Sequence, residues 1–116
     1  MRNRRLDGLK GESVAISYLK DLGYKILDKN VYVCGGEIDI IALDYDTLVF
    51  VEVKMRESGK YGMPLESVDY RKKQNLLKSI KGYINQNALY NKNMRIDVIG
   101  IMDNDIEHIK DALWLN

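Results

Sequence analysis

The 116 residues carry 18 Lys/Arg against 17 Asp/Glu, a formal net charge of +1, and 46% are hydrophobic. Such a length allows one hydrophobic core and not two. No apolar run approaches the roughly 18 residues of a membrane span, and the charged residues 1–7 lack the apolar stretch of a secretory leader. The single cysteine, Cys34, excludes an internal disulfide and fits a reducing cytoplasm. With one histidine in the chain it offers neither a Cys/His nucleophile nor a zinc site.

In chain order, the first predicted element is a helix over 12–22, with Ala15, Tyr18, Leu19 and Leu22 at helical spacing and Gly23 as its stop. Glu12, Ala15, Ile16 and Leu19 fall at i, i+3, i+4 and i+7, so a carboxylate extends the apolar stripe and points toward a sheet. Residues 24–33 read as a first strand, irregular around Asp28-Lys29-Asn30. Residues 37–43 and 48–54 read as a second and third, joined by the tight polar link Asp44-Tyr45-Asp46-Thr47. Residues 55–68 form a Gly-rich polar loop containing the only proline, Pro64. Asp69 caps a second helix to about residue 88, burying Leu76, Leu77, Ile80, Tyr83 and Ile84. Residues 94–102 and 106–109 complete the set as strands, separated by Asp103-Asn104-Asp105. The second and third strands are apolar on both faces, so helices should cover both sides of the sheet. The expected architecture is a single α/β domain over 1–116, αβββαββ, with a central sheet and the second and third strands adjacent.

Three ionisable groups interrupt the most apolar of these strands. Asp39 lies within Gly36-Glu37-Ile38-Asp39-Ile40-Ile41, and Glu52 and Lys54 within Leu48-Val49-Phe50-Val51-Glu52-Val53-Lys54. Desolvated charge is costly unless paired or metal-bound. Alternation places Phe50, Glu52 and Lys54 on one face, with Asp39 able to face them from the neighbouring strand. Two carboxylates beside an ammonium suit a magnesium ion and a phosphodiester. The competing reading is a surface ion pair on an edge strand. Glu37, two residues from Asp39 and on the same strand face, is either a second acid of the site or a salt-bridge partner. Charge is segregated: residues 1–30 and 61–90 each balance to +3 and residues 31–60 to −3. That pattern suits an acidic site beneath a phosphate-binding rim, or merely solvated helix faces. His108 is expected to pack or cap a turn, and Tyr18, Tyr24, Tyr83 and Trp114 to serve as core or interface aromatics.

The order Gly11-Glu12, Ala15, Leu22-Gly23-Tyr24, Gly36-Glu37-Ile38-Asp39, Val51-Glu52-Val53-Lys54, Tyr61-Gly62 and Arg95-Ile96-Asp97-Val98 resembles the YraN family. That family is assigned to the PD-(D/E)XK nuclease superfamily and is similar to Holliday junction resolvases. The resemblance covers nearly the whole chain and implies a restriction-endonuclease-like fold with a mixed sheet. It implies that Asp39 and Glu52 bind one or two Mg²⁺ or Mn²⁺ ions, with the Val53 carbonyl as a further ligand and Glu12 as the outer acid. It implies that Lys54 orients or helps deprotonate the attacking water, or stabilises the phosphorane. By resemblance, too, the protein would work as a two-fold dimer on DNA. Arg4, Arg5 and Lys10 before the first helix, Arg56 and Lys60 in the loop, and Lys72 and Lys73 on the second helix are the cations available for phosphate contacts. Two functions follow: a metal-dependent endonuclease acting on DNA, branched DNA included, or a catalytically idle nuclease fold that binds nucleic acid or a protein partner.

Overall fold

The computed structural model describes residues 4–56, 70–103 and 105–113. Of the expected 55–68 loop, residues 57–68, Lys60 among them, lie outside the described residues, as do Asp69, Trp114 and the side chains of Arg4, Arg5, Lys10 and Arg56, while Met55 and Arg56 belong to the third strand instead of the loop. The elements run α1 (Arg4–Asp21), β1 (Lys25–Val33), β2 (Gly36–Asp44), β3 (Thr47–Arg56), α2 (Tyr70–Gln86), β4 (Asn93–Met102) and β5 (Asp105–Leu113). The sheet order is β1-β2-β3-β4-β5. Only β3 and β4 pair in parallel, the others antiparallel, so the sheet is mixed. This is the αβββαββ arrangement compatible with a restriction-endonuclease-like fold, and β3, which carries Glu52 and Lys54, lies at its centre. The edge-strand ion-pair reading is therefore excluded.

Each helix covers one face. Ala15 and Leu19 of α1 pack with Tyr24, Ile40, Ala42, Val49, Val51, Ile99 and Ile101. Leu76, Leu77 and Ile80 of α2 pack with Ile38, Ile41, Leu48, Phe50 and Ile96 on the opposite face. Among the described residues no helix is long and apolar enough to cross a membrane.

α1 begins well before residue 12. Gly8 and Gly11 lower its intrinsic propensity, but the latter sits where α1 crosses β3 closely. A Cβ on Gly11 would lie 2.4 Å from Met55 Sδ. The helix ends in a Schellman turn: Tyr24 N–H donates to the Leu19 carbonyl at 3.0 Å and Gly23 N–H to that of Lys20 at 2.9 Å. Gly23 takes the left-handed conformation, φ 95°. Leu22 thereby falls past the last helical turn and is 51% exposed, not part of the stripe as its spacing suggested.

Candidate active site

The β2–β3 ladder runs from Asp44–Thr47 to Ile40–Val51 and stops there. Both strands continue, β2 paired with β1 as far as Gly36 and β3 paired with β4 as far as Arg56. Between them the sheet forks. At the fork the Asp39 side chain replaces the missing strand partner: Val53 N–H donates to Asp39 Oδ2 at 2.8 Å. The carbonyl of Val53 leaves the same edge of its strand as that N–H, so it too opens into the fork.

A slip in the β2 pleat aims Asp39. Ile38 packs under α2 and Ile40 under α1, although residues two apart in a regular strand share a face. Asn30 lies across from this point, between the Lys29–Ile40 and Val31–Ile38 pairs, and takes φ 52°. The irregularity expected in β1 is therefore also what lets one carboxylate meet acids from both faces. On one side stand Glu12 of α1 and Glu37, their carboxylate oxygens and that of Asp39 all within 4.8 Å of one another. On the other stands Glu52, beside Phe50 on the α2 face, and it shares a side-chain hydrogen bond with Asp39.

Two carboxyls can share a hydrogen bond only if one holds a proton. Burial, then the Glu52 charge, raise the Asp39 pKa to about 7, while the Val53 N–H opposes the rise. Burial likewise raises Glu52, against the lowering pull of Lys54, of its bond to Asp39 and of Lys72. Glu37 is raised by burial and by Asp39 and Glu12. The Lys54 ammonium is pushed down by burial and by the neighbouring Lys72.

Of the residues proposed from the sequence, Glu12, Asp39, Glu52, Val53 and Lys54 thus meet at one fork. Glu37 joins the carboxylate group directly. Lys72, in the first turn of α2, reaches Lys54 and Glu52, whereas Lys73 is half-buried on a neighbouring face. The oxygens that lie together are those of Glu12, Glu37 and Asp39, with Glu52 adjoining Asp39 from the other face, an all-oxygen chemistry of the kind Mg²⁺ or Mn²⁺ takes.

A second polar cluster was not anticipated. Asp97 of β4 is fully buried. It accepts from Arg95 Nε at 2.9 Å, from the Asp111 N–H at 3.1 Å and from Tyr24 Oη at 3.4 Å. Arg95 Nε and the Asp111 N–H share Oδ1, and His108 Nε2 lies 2.8 Å from Oδ2, the oxygen that Tyr24 also reaches. Nδ1 of the same ring lies 3.0 Å from the Tyr18 hydroxyl. Arg95 also pairs with Asp44 at 2.9 Å. Of the two expected readings for His108 the packing one holds: the buried ring meets Tyr18 and Tyr24 edge-on and links α1 to β4, and it caps no turn. The signal was present in the sequence, since Asp97 interrupts an apolar strand just as Asp39 does. No buried side-chain polar atom among the described residues lacks a hydrogen-bond partner, which makes this cluster a clip joining α1, β4 and β5.

A family model described as "Uncharacterised protein family UPF0102" matches residues 11–101. The chain belongs to the UPF0102 family. The expected YraN resemblance is this same family. A UPF0102 protein of Carboxydothermus hydrogenoformans is 45% identical over 115 residues, covering 96% of this chain and 98% of that protein. One from Persephonella marina is 41% identical, with 96% of each chain covered. A third, from Thermodesulfovibrio yellowstonii, is 48% identical over 109 residues, covering 92% of this chain and 95% of its own. The UPF0102 match spans α1 from Gly11 onward and β2 and β3, the elements that supply the fork.

Proposed function

We propose that this UPF0102 protein is a divalent-metal-dependent endonuclease that hydrolyses DNA phosphodiesters, branched DNA being the substrate class the resolvase resemblance suggests. One observation carries this reading: acids from α1, β2 and β3 converge at a fork in the sheet with the Lys54 ammonium alongside. A fold with no use for a cation there gains nothing from crowding half-buried carboxylates.

Asp39, Glu52, Glu12 and the Val53 carbonyl would hold the ion, with Glu37 as a further carboxylate within reach. When bound, the ion polarises a phosphate oxygen and makes a water acidic near neutral pH. The chain supplies the remaining parts. Val53 N–H fixes one Asp39 oxygen, leaving the other for the site. Lys54 stabilises the charge that builds on the phosphoryl oxygens as water attacks phosphorus and the bond to the departing sugar oxygen breaks. Lys72 adds a second ammonium from α2, and Lys73, with the cations outside the described side chains, would grip flanking phosphates. Such contacts are independent of base sequence and weaken with salt.

The test is cleavage of linear duplex, single-stranded, three-way and four-way DNA with Mg²⁺ or Mn²⁺. The expected result is cutting that disappears in Glu52→Gln and with chelator. Ion binding without cleavage of any of these substrates would favour the idle nucleic-acid- or protein-binding module.

A further inference from the structure

β1 ends beside the carboxylates. Tyr32 stands directly opposite Glu37 in the β1–β2 register, and Val33 opposite Gly36. Directly paired residues share a face, with Cβ atoms about 4.5–5.5 Å apart. Tyr32 therefore leaves the sheet on the side where Glu37 meets Glu12 and Asp39, while Val33 is buried against α2. The tyrosine is 74% exposed.

Its position is fixed from behind. Ser79 Oγ of α2 donates to the Val33 carbonyl at 2.8 Å. A Cβ on Gly36 would lie 2.3 Å from Ser79 Oγ, and one on Gly82 would lie 2.5 Å from Cys34 Sγ, so the hairpin end is pressed onto the helix. Residues 32–37, Tyr32 and Glu37 among them, line an open cleft of about 420 Å³. Two other described tyrosines are also largely exposed, but Tyr45 sits in the β2–β3 turn at the far end of β2, and Tyr90 follows α2 with its hydroxyl on Asn85.

Resting on the nuclease reading, we propose that Tyr32 is a stacking platform for a base unstacked next to the phosphodiester held at the fork, so that the site selects branched or single-stranded junctions over continuous duplex. Base stacking asks for a flat, solvent-facing ring beside a phosphate grip and tolerates any base. A tyrosine on a braced hairpin loses little freedom on binding, having two side-chain torsions. Bases inside a continuous duplex are stacked on each other and cannot use it, which is how one ring confers a preference for shape.

The experiment uses a four-way junction with 2-aminopurine at the branch and a duplex with 2-aminopurine in its middle, titrated with full-length protein in Ca²⁺ to read binding apart from cleavage. Wild type and Tyr32→Phe should bind the junction and change its fluorescence. Tyr32→Ala should lose about 5- to 150-fold in junction affinity, the equivalent of stacking one base, and bind duplex as wild type does. Its circular dichroism should be unaltered, since the side chain is mostly exposed. An unchanged junction-to-duplex ratio in Tyr32→Ala overturns the stacking role alone. Absence of wild-type binding to either DNA at low salt overturns both this role and the nuclease reading.

Discussion

Replacing Asp39 with asparagine should stabilise the metal-free protein at neutral and alkaline pH. The unfolded side chain ionises near 3.8 and the folded one near 7. Between those values the folded state holds a proton that the unfolded state has released, so rising pH lowers stability from about pH 4 until just above pH 7. A separation of about 3 pH units corresponds to roughly 4 kcal/mol at about 1.36 kcal/mol per unit. Solvent access to the fork and the proton shared with Glu52 reduce this, so about 1–3 kcal/mol is expected to be recovered at pH 8. Asparagine removes the ionisation and keeps the bonds: its amide oxygen accepts from Val53 N–H, and its NH₂ can donate to Glu52. Glu37 and Glu52 are raised as well and tilt the wild-type curve in the same direction, so the difference between variant and wild type is the informative quantity. Urea unfolding in EDTA, followed by circular dichroism from pH 4 to 8, measures it. The difference should be small near pH 4 and grow to a plateau above pH 7. A difference independent of pH, or one that favours wild type at pH 8, would refute the account of Asp39.

Lys54→Ala should retain divalent-ion binding in calorimetry while losing DNA cleavage, because the ammonium lies beside the donor set and not in it. Gly36→Ala should cost about 1–3 kcal/mol in urea unfolding, since the added Cβ would meet Ser79 Oγ at 2.3 Å and the Asn75 carbonyl at 3.2 Å. Asp97→Ala should cost about 3–5 kcal/mol by the same assay, as it leaves Arg95 with Asp44 alone and removes the buried anchor of His108. Ala88→Gly should instead raise stability by about 0.5–1 kcal/mol, because Ala88 closes α2 with φ 53°, where glycine is unstrained.

The strand pair bearing Asp39, Glu52 and Lys54 was legible because polar groups in apolar, alternating segments stand out, and a helix with Glu12 on its apolar stripe could only aim that acid at the sheet. The standing of Glu37 was harder to read. Spacing put it on the Asp39 face, but its approach to Glu12 depends on the pleat slip between Ile38 and Ile40, which no regular period encodes. Asp97 carried the same signal as Asp39 and stands within Arg95-Ile96-Asp97-Val98, but its role was not legible because its partners, Arg95 excepted, are remote in sequence: Tyr24, His108 and the Asp111 N–H come together only through packing of α1 and β5. The meeting of Lys72 with Lys54 likewise depends on where α2 docks. The start of α1 was misjudged because Gly8 and Gly11 argue locally against helix, and the close crossing of Gly11 over β3 overrides that preference.

Titration calorimetry of Mn²⁺ into wild type and Asp39→Asn at pH 7, in two buffers of different ionisation enthalpy, tests the central claim most directly. The account predicts saturable binding to wild type with a net release of protons, because Asp39 must give up its proton to act as a ligand, and no binding to the variant. Equal affinity in the two proteins, or none in wild type, would contradict it.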